Sequence, residues 1–173
     1  MKRLLGIGLV LCFWIGSLWA QETTLVIYST NDMHGNLYPF AKIAKYLKSE
    51  KAKHPHTLVV SGGDMFTGNP VVDQHPEKGH PIIELMNHIG YQYAAFGNHE
   101  FDYGQENLQR CMNDAHFEML CANMEVDASI ARFEQPKPYA SLEIDGIQIA
   151  ILGLVEANES RTGELLPGAH PDR

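Results

Sequence analysis

Paired zinc-binding cysteines are absent from this sequence. Three cysteines occur in 173 residues, none in a Cys-x-x-Cys spacing, which removes a structural zinc knuckle or ribbon from consideration. Basic charge is scarce as well. Thirteen Lys and Arg face 21 Asp and Glu, a formal net charge of −8. A surface of that sign repels polyanions, so a partnership with nucleic acid is disfavoured. After Gln21 no apolar run is long enough to cross a bilayer. Internal repeats and low-complexity tracts are lacking too, and 45% hydrophobic with 20% charged residues is ordinary for a folded domain.

The one long apolar run lies at the start. Lys2 and Arg3 precede Leu4 to Leu18, and the small Ala20 stands before the polar Gln21-Glu22. That layout predicts a signal peptide over residues 1–20, with cleavage after Ala20 and a periplasmic or secreted product that has no further membrane attachment. The leader holds two of the 13 basic residues and no acidic one, so the mature chain is more acidic still. A small phosphorylated substrate would then need a local source of positive charge, which metal ions can supply. Residues 21–173 suffice for one core. Cys111 falls on the apolar face of a predicted helix and Cys121 at the end of a predicted strand. Two free buried thiols are expected there, although an exported compartment permits a disulfide.

From Thr24 the signals alternate between strand and helix. Leu25 to Tyr28 reads as a buried strand running into polar Ser29 to Asp32. Phe40, Ile43, Ala44 and Leu47 recur at helical spacing, with Lys42, Lys45 and Lys48 on the solvated face. Leu58 to Val60 forms a second strand, and Ile82, Leu85, Met86 and Ile89 mark a helix between Pro81 and Gly90. Tyr91 to Phe96 is a third strand, Leu108 to Ala115 a helix, and Phe117 to Cys121 a fourth strand. Tyr139 to Ile144 and Ile147 to Leu154 flank Asp145-Gly146, a two-residue hairpin signal. The fold class is α/β with a mainly parallel sheet, and such sheets place their ligands beyond the carboxyl ends of the strands.

Three of those strand ends carry potential metal ligands: Asp32-Met33-His34-Gly35, Gly62-Gly63-Asp64 and Gly97-Asn98-His99-Glu100-Phe101-Asp102. In extended chain an Asp and a His two apart point the same way, and glycines allow a tight turn that presents a carboxylate. Oxygen and imidazole donors suit Zn, Mn, Fe or Co. Each motif alone is weak. Their shared placement at one sheet edge is what gives them weight.

The segments Asn31 to Asn36, Gly62 to Phe66 and Gly97 to Gly104 resemble the opening motifs of the calcineurin-like metallophosphoesterases, and within these the bacterial 5′-nucleotidase and UDP-sugar hydrolase branch. Met86-Asn87 with Gly90-Tyr91, Pro138-Tyr139 and Gly153-Leu154 fit the same pattern, and the similarity runs from about Thr24 to Glu156. The resemblance implies an αββα sandwich of which this is the N-terminal portion. It implies two divalent metal ions (Zn, Mn, Co or Fe), with Asp32 and His34 on the first, Asp64 bridging and Asn98 on the second. His99 would act at the phosphate, oriented by Asp102, and metal-activated water would attack phosphorus. The substrate would be a nucleotide or nucleotide sugar. A 2′,3′-cyclic nucleotide phosphodiesterase and a non-catalytic binding protein are the alternatives. The family's three later histidine ligands have no counterpart, since only His170 follows Leu154. Weak or single-metal binding and little turnover are therefore expected of these residues alone, with a downstream nucleotidase domain as the partner. Glu100 is expected to pair with a neighbouring basic group and receives no catalytic role. His54 and His56 flank Pro55 and are expected at the surface, and His75, His80, His88 and His116 show no ligand spacing.

Overall fold

A computed structural model describes residues 22–156. The expected signal peptide and His170 lie outside them.

Four short strands form a parallel sheet in the order of the chain: β1 (Val26–Thr30), β2 (Thr57–Ser61), β3 (Tyr93–Ala95) and β4 (Glu118–Leu120). Parallel neighbours need crossovers, and helices supply them. α1 (Phe40–Lys51) joins β1 to β2, while α2 (Pro70–Asp73) and α3 (His80–Ile89) join β2 to β3. A 3-10 turn (Asn98–Phe101) and α4 (Gln105–Asp114) join β3 to β4. Sequential strand order with crossovers of one hand puts the helices on one face of the sheet. The core forms there. Val59, Ala94 and Met119 from the strands pack with Phe40 and Leu47 of α1, Ile82, Ile83 and Met86 of α3, and Leu108 and Cys111 of α4.

The helices begin and end where local chemistry allows. Asn69 caps α2, accepting from the Val71 N–H at 3.0 Å, and Pro70 opens the helix where its missing N–H costs nothing. Pro81 likewise sits in the first turn of α3, which closes at Gly90 with its N–H on the Met86 carbonyl. Lys51 reaches from the end of α1 to the carbonyls of Ile89 and Gly90, tying the two helix ends together.

β5 (Tyr139–Ile144) and β6 (Ile147–Leu152) pair antiparallel through Asp145-Gly146. Both turn residues have positive φ, 50° and 80°, as the tight hairpin turn requires. Asp145 anchors the turn to the start of the sheet, lying 3.0 Å from His56 Nε2 and accepting from the Thr23 hydroxyl. The other end docks on β4, where the Cys121 N–H donates to Lys137 and the Ala122 N–H to Gly153.

The α/β class and mainly parallel sheet are as expected, but element ends differ, and β1 is not the buried strand expected of Leu25 to Tyr28: none of its residues is buried and Ile27 is 56% exposed. β3 begins at Tyr93 because the Tyr91 N–H still bonds the end of α3, on the Met86 carbonyl. β4 stops at Leu120 and β6 at Leu152, because the next residues form the junction between sheet and hairpin. The four-residue α2 was not foreseen, although Asn69-Pro70 is a helix-start signal.

Candidate metal centre

The segments after β1, β2 and β3 are laced together before any metal is considered. Main-chain N–H groups of Asp32, His34 and Gly35 donate to the carbonyls of Gly63, Asp64 and Met65 at 3.2, 3.0 and 2.8 Å. The first loop therefore runs along the second like a continued ladder. Gly63 has φ 103°, a conformation open to glycine, and a Cβ there would lie 2.4 Å from the Gly97 nitrogen. A Cβ on Gly97 would meet Asp64 Oδ1 at 2.2 Å. These two glycines are what let the second and third segments touch.

Ligand atoms of Asp32, His34 and Asp64 all lie within 4.8 Å of one another. Asp32 Oδ1 is 3.8 Å from His34 Nε2. Their convergence does not come from extended chain, as the sequence spacing suggested. Asp32, His34 and Asp64 have φ of 52°, 46° and 52°, so each is a non-glycine residue in left-handed backbone. Such residues cost about 1–3 kcal/mol apiece and persist only where the surroundings enforce them. The three sit at the exposed edge of the sheet, with Asp32 facing solvent and His34 and Asp64 half-buried. Two carboxylates and an imidazole, without thiolate, fit a divalent Zn, Mn, Co or Fe ion.

The third segment docks on this group. Asn98 opens the 3-10 turn, and the His99 N–H donates to Asp64 Oδ1 at 3.0 Å. The His99 ring packs edge-on to that of His34, 4.7 Å between centroids. Its Nδ1 lies 2.6 Å from Asp102 Oδ2 and 3.1 Å from the Thr67 hydroxyl, leaving Nε2 as the nitrogen able to act. The Asp102 hydrogen bond raises the His99 pKa above its ordinary value, with partial burial opposing. Thr67 is itself held, since its N–H donates to the Tyr103 hydroxyl, which donates in turn to Asp73. Neither Tyr103 nor Asp73 was singled out from sequence, because their link spans 30 residues.

Glu100 departs most from expectation. It is 1% exposed and pairs with no basic group among the described residues. Instead Oε2 accepts from the N–H of Asp64 at 2.9 Å and of Gly97 at 2.5 Å, and Oε1 from that of Met65 at 2.7 Å. Burial pushes its carboxyl pKa up, and the three donors work against that. A Glu three residues after the position that caps the 3-10 turn, here Gly97, is a capping signal that could have pointed to part of this arrangement.

The remaining titratable groups stay apart from the centre. Lys42, Lys45 and Lys48 are exposed. His54 and His56 lie beside Glu50 and Asp145, and the rings of His75 and His80 stack 5.8 Å apart. Cys111 and Cys121 are free and buried, and burial pushes the Cys111 thiol up to about 11.

Comparison with known proteins bears on this geometry. The endonuclease YhcR of Bacillus subtilis is 28% identical over 177 residues, covering 85% of this chain and 14% of the relative. The 5′-nucleotidase of Vibrio parahaemolyticus is 34% identical over 159 residues, covering 84% of this chain and 28% of the relative. The structure of Haemophilus influenzae NAD nucleotidase superposes with a TM-score of 0.71 at 29% identity, over 78% of this chain and 27% of that one. The chain spans less than a third of the length of these curated relatives. The profile described as calcineurin-like phosphoesterase matches residues 25–139, from β1 through all three loops to the first residue of the hairpin, and the chain belongs to that family.

Proposed function

We propose that this chain holds a divalent cation of an exported phosphoric-ester hydrolase acting on nucleotides or nucleotide sugars. The observation that carries the reading is the convergence of Asp32, His34 and Asp64 at the carboxyl ends of β1 and β2. Asn98, beginning the adjoining turn, offers an amide oxygen as a further donor. A bound divalent cation supplies Lewis acidity, bringing water within reach of ionisation near neutral pH and neutralising phosphoryl oxygens. Asp64, whose Oδ1 accepts from the His99 N–H, would be the carboxylate shared with a second ion in the arrangement that the family resemblance implies. His99, its Nδ1 engaged by Asp102, serves through Nε2, stabilising charge on the phosphoryl group or protonating the leaving alkoxide. Export rests on the apolar leader of residues 1–20.

With the donors present in these residues, one ion is held rather than two, and turnover is low. The test is metal analysis after loading with Mn, Zn or Co, beside product release from AMP, UDP-glucose and 2′,3′-cAMP. Binding that Asp64→Asn abolishes is expected. Two ions per chain with full turnover would overturn the single-ion reading. The longest natural chain carrying these residues is expected to hydrolyse AMP or UDP-glucose. Turnover of 2′,3′-cAMP alone favours the cyclic phosphodiesterase, and turnover of none of the three sinks the nucleotide assignment.

A further inference from the structure

Glu100 is a carboxyl side chain sealed from water at the junction of three loops, and its bonds go only to main chain. The residues it holds are informative. Asp64 and Met65 each donate their N–H to Glu100 and accept, through their carbonyls, from the N–H of His34 and Gly35. The same carboxyl takes the Gly97 N–H, one residue before Asn98. One side chain from the third segment thus sets the peptide units of the second, and these set the first. Those peptide units carry Asp32, His34 and Asp64 in left-handed backbone. Alternatives to that conformation are open to each residue alone, so an outside constraint is required.

We propose that Glu100 is the positioning residue of the metal centre: it clamps the peptides of Asp64, Met65 and Gly97 so that Asp32, His34 and Asp64 converge on one cation. The inference rests on the metal-centre reading above and concerns geometry, since either carboxyl oxygen accepts from an N–H. Glu100→Gln keeps the volume but turns one oxygen into an amide donor. Its remaining oxygen can serve Asp64 and Gly97, which leaves the Met65 N–H facing another donor. Glu100→Asp keeps the acid but shortens its reach by one methylene.

The test uses the whole chain, with Co2+ alone as the probe. Absorption and calorimetry read cation binding, and amide hydrogen exchange of the metal-free protein reads the clamp. Both variants are expected to bind Co2+ about tenfold more weakly or worse, the usual consequence of losing a group that orients metal ligands. Asp64, Met65 and Gly97 amides should exchange faster, while those of Met86 and Leu108 in the core keep the parent's protection. Parent-like Co2+ affinity and spectrum in both variants would overturn the proposal. So would loss of core protection in step with the loops, which would mean a role in global stability only. The parent protein supplies a measurement that needs no variant: if its Asp64, Met65 and Gly97 amides exchange as fast as that of exposed Ala128, there is no clamp. A parent that binds no Co2+ overturns the metal-centre reading itself, whereas a binding parent beside equally tight variants overturns only the role of Glu100.

Discussion

Asp102 illustrates how one residue sets the chemistry of another. Its carboxylate is 2.6 Å from His99 Nδ1, and that hydrogen bond favours the imidazolium. His99 therefore titrates above its usual 6.5 in the metal-free chain. A raised histidine pKa stabilises the fold fully below the unfolded value of about 6.5, and the contribution fades as pH rises through the folded value. Asp102→Asn is accordingly expected to bring the His99 midpoint, read from its ring protons by NMR, down towards 6.5. The thermal stability gap between parent and variant should be widest below that pH and close above the folded value. A parent midpoint below 6.5 would contradict this account. The family resemblance already implied the pairing. It could not show Thr67 on the same nitrogen, because that contact crosses 32 residues.

Among the elements, the hairpin depends on a junction that no periodicity reveals. Gly153 follows β6 and packs against β4 so closely that an added Cβ would lie 1.9 Å from the Leu120 carbonyl oxygen. That atom is backbone, so the chain itself must move. Gly153→Ala is expected to cost about 1–3 kcal/mol, the usual range for overpacking. A lower urea midpoint at unchanged slope would show it, with faster exchange of the Ala122 amide that donates to Gly153. A variant as stable as the parent would mean that the hairpin is not seated on β4. The long helices were easier to read. α1, α3 and α4 each carry apolar residues at helical spacing, and their buried residues are among those so marked except Ile83, which is buried in α3 beside Ile82 and Met86 while the marked Leu85 and Ile89 are only partly buried. α2 has only four residues, too few for a period, and its start is written in a cap.

Across the whole molecule, helices cover one face of the sheet, while apolar side chains remain exposed elsewhere, among them Ile27 on β1 and Ile147 and Leu152 on the hairpin. Folding gathers the donors for a cation from segments far apart in sequence. A ligand that binds the native centre and not the unfolded chain stabilises the fold by mass action, by about 2.7 kcal/mol at one hundred times its Kd. Mn, Zn or Co should raise the melting temperature by several degrees, EDTA should reverse the shift, and Asp64→Asn should remove most of it. An equal shift in the Asp64 variant would place the ion elsewhere.

Composition, period and turn chemistry determined the α/β class, the order of the strands and long helices and which three loops carry donors, because these follow from contacts between near neighbours in the chain. The motifs also identified Asp32, His34 and Asp64 as residues to watch. Tertiary structure decided how they meet: through left-handed backbone, a ladder between loops and the close approach of Gly63 and Gly97. It alone showed that Glu100 is buried and bonded to peptides 35 and 36 residues away. The physical reason is that a carboxyl group reads as surface in any sequence, and only three convergent N–H groups make its burial tolerable.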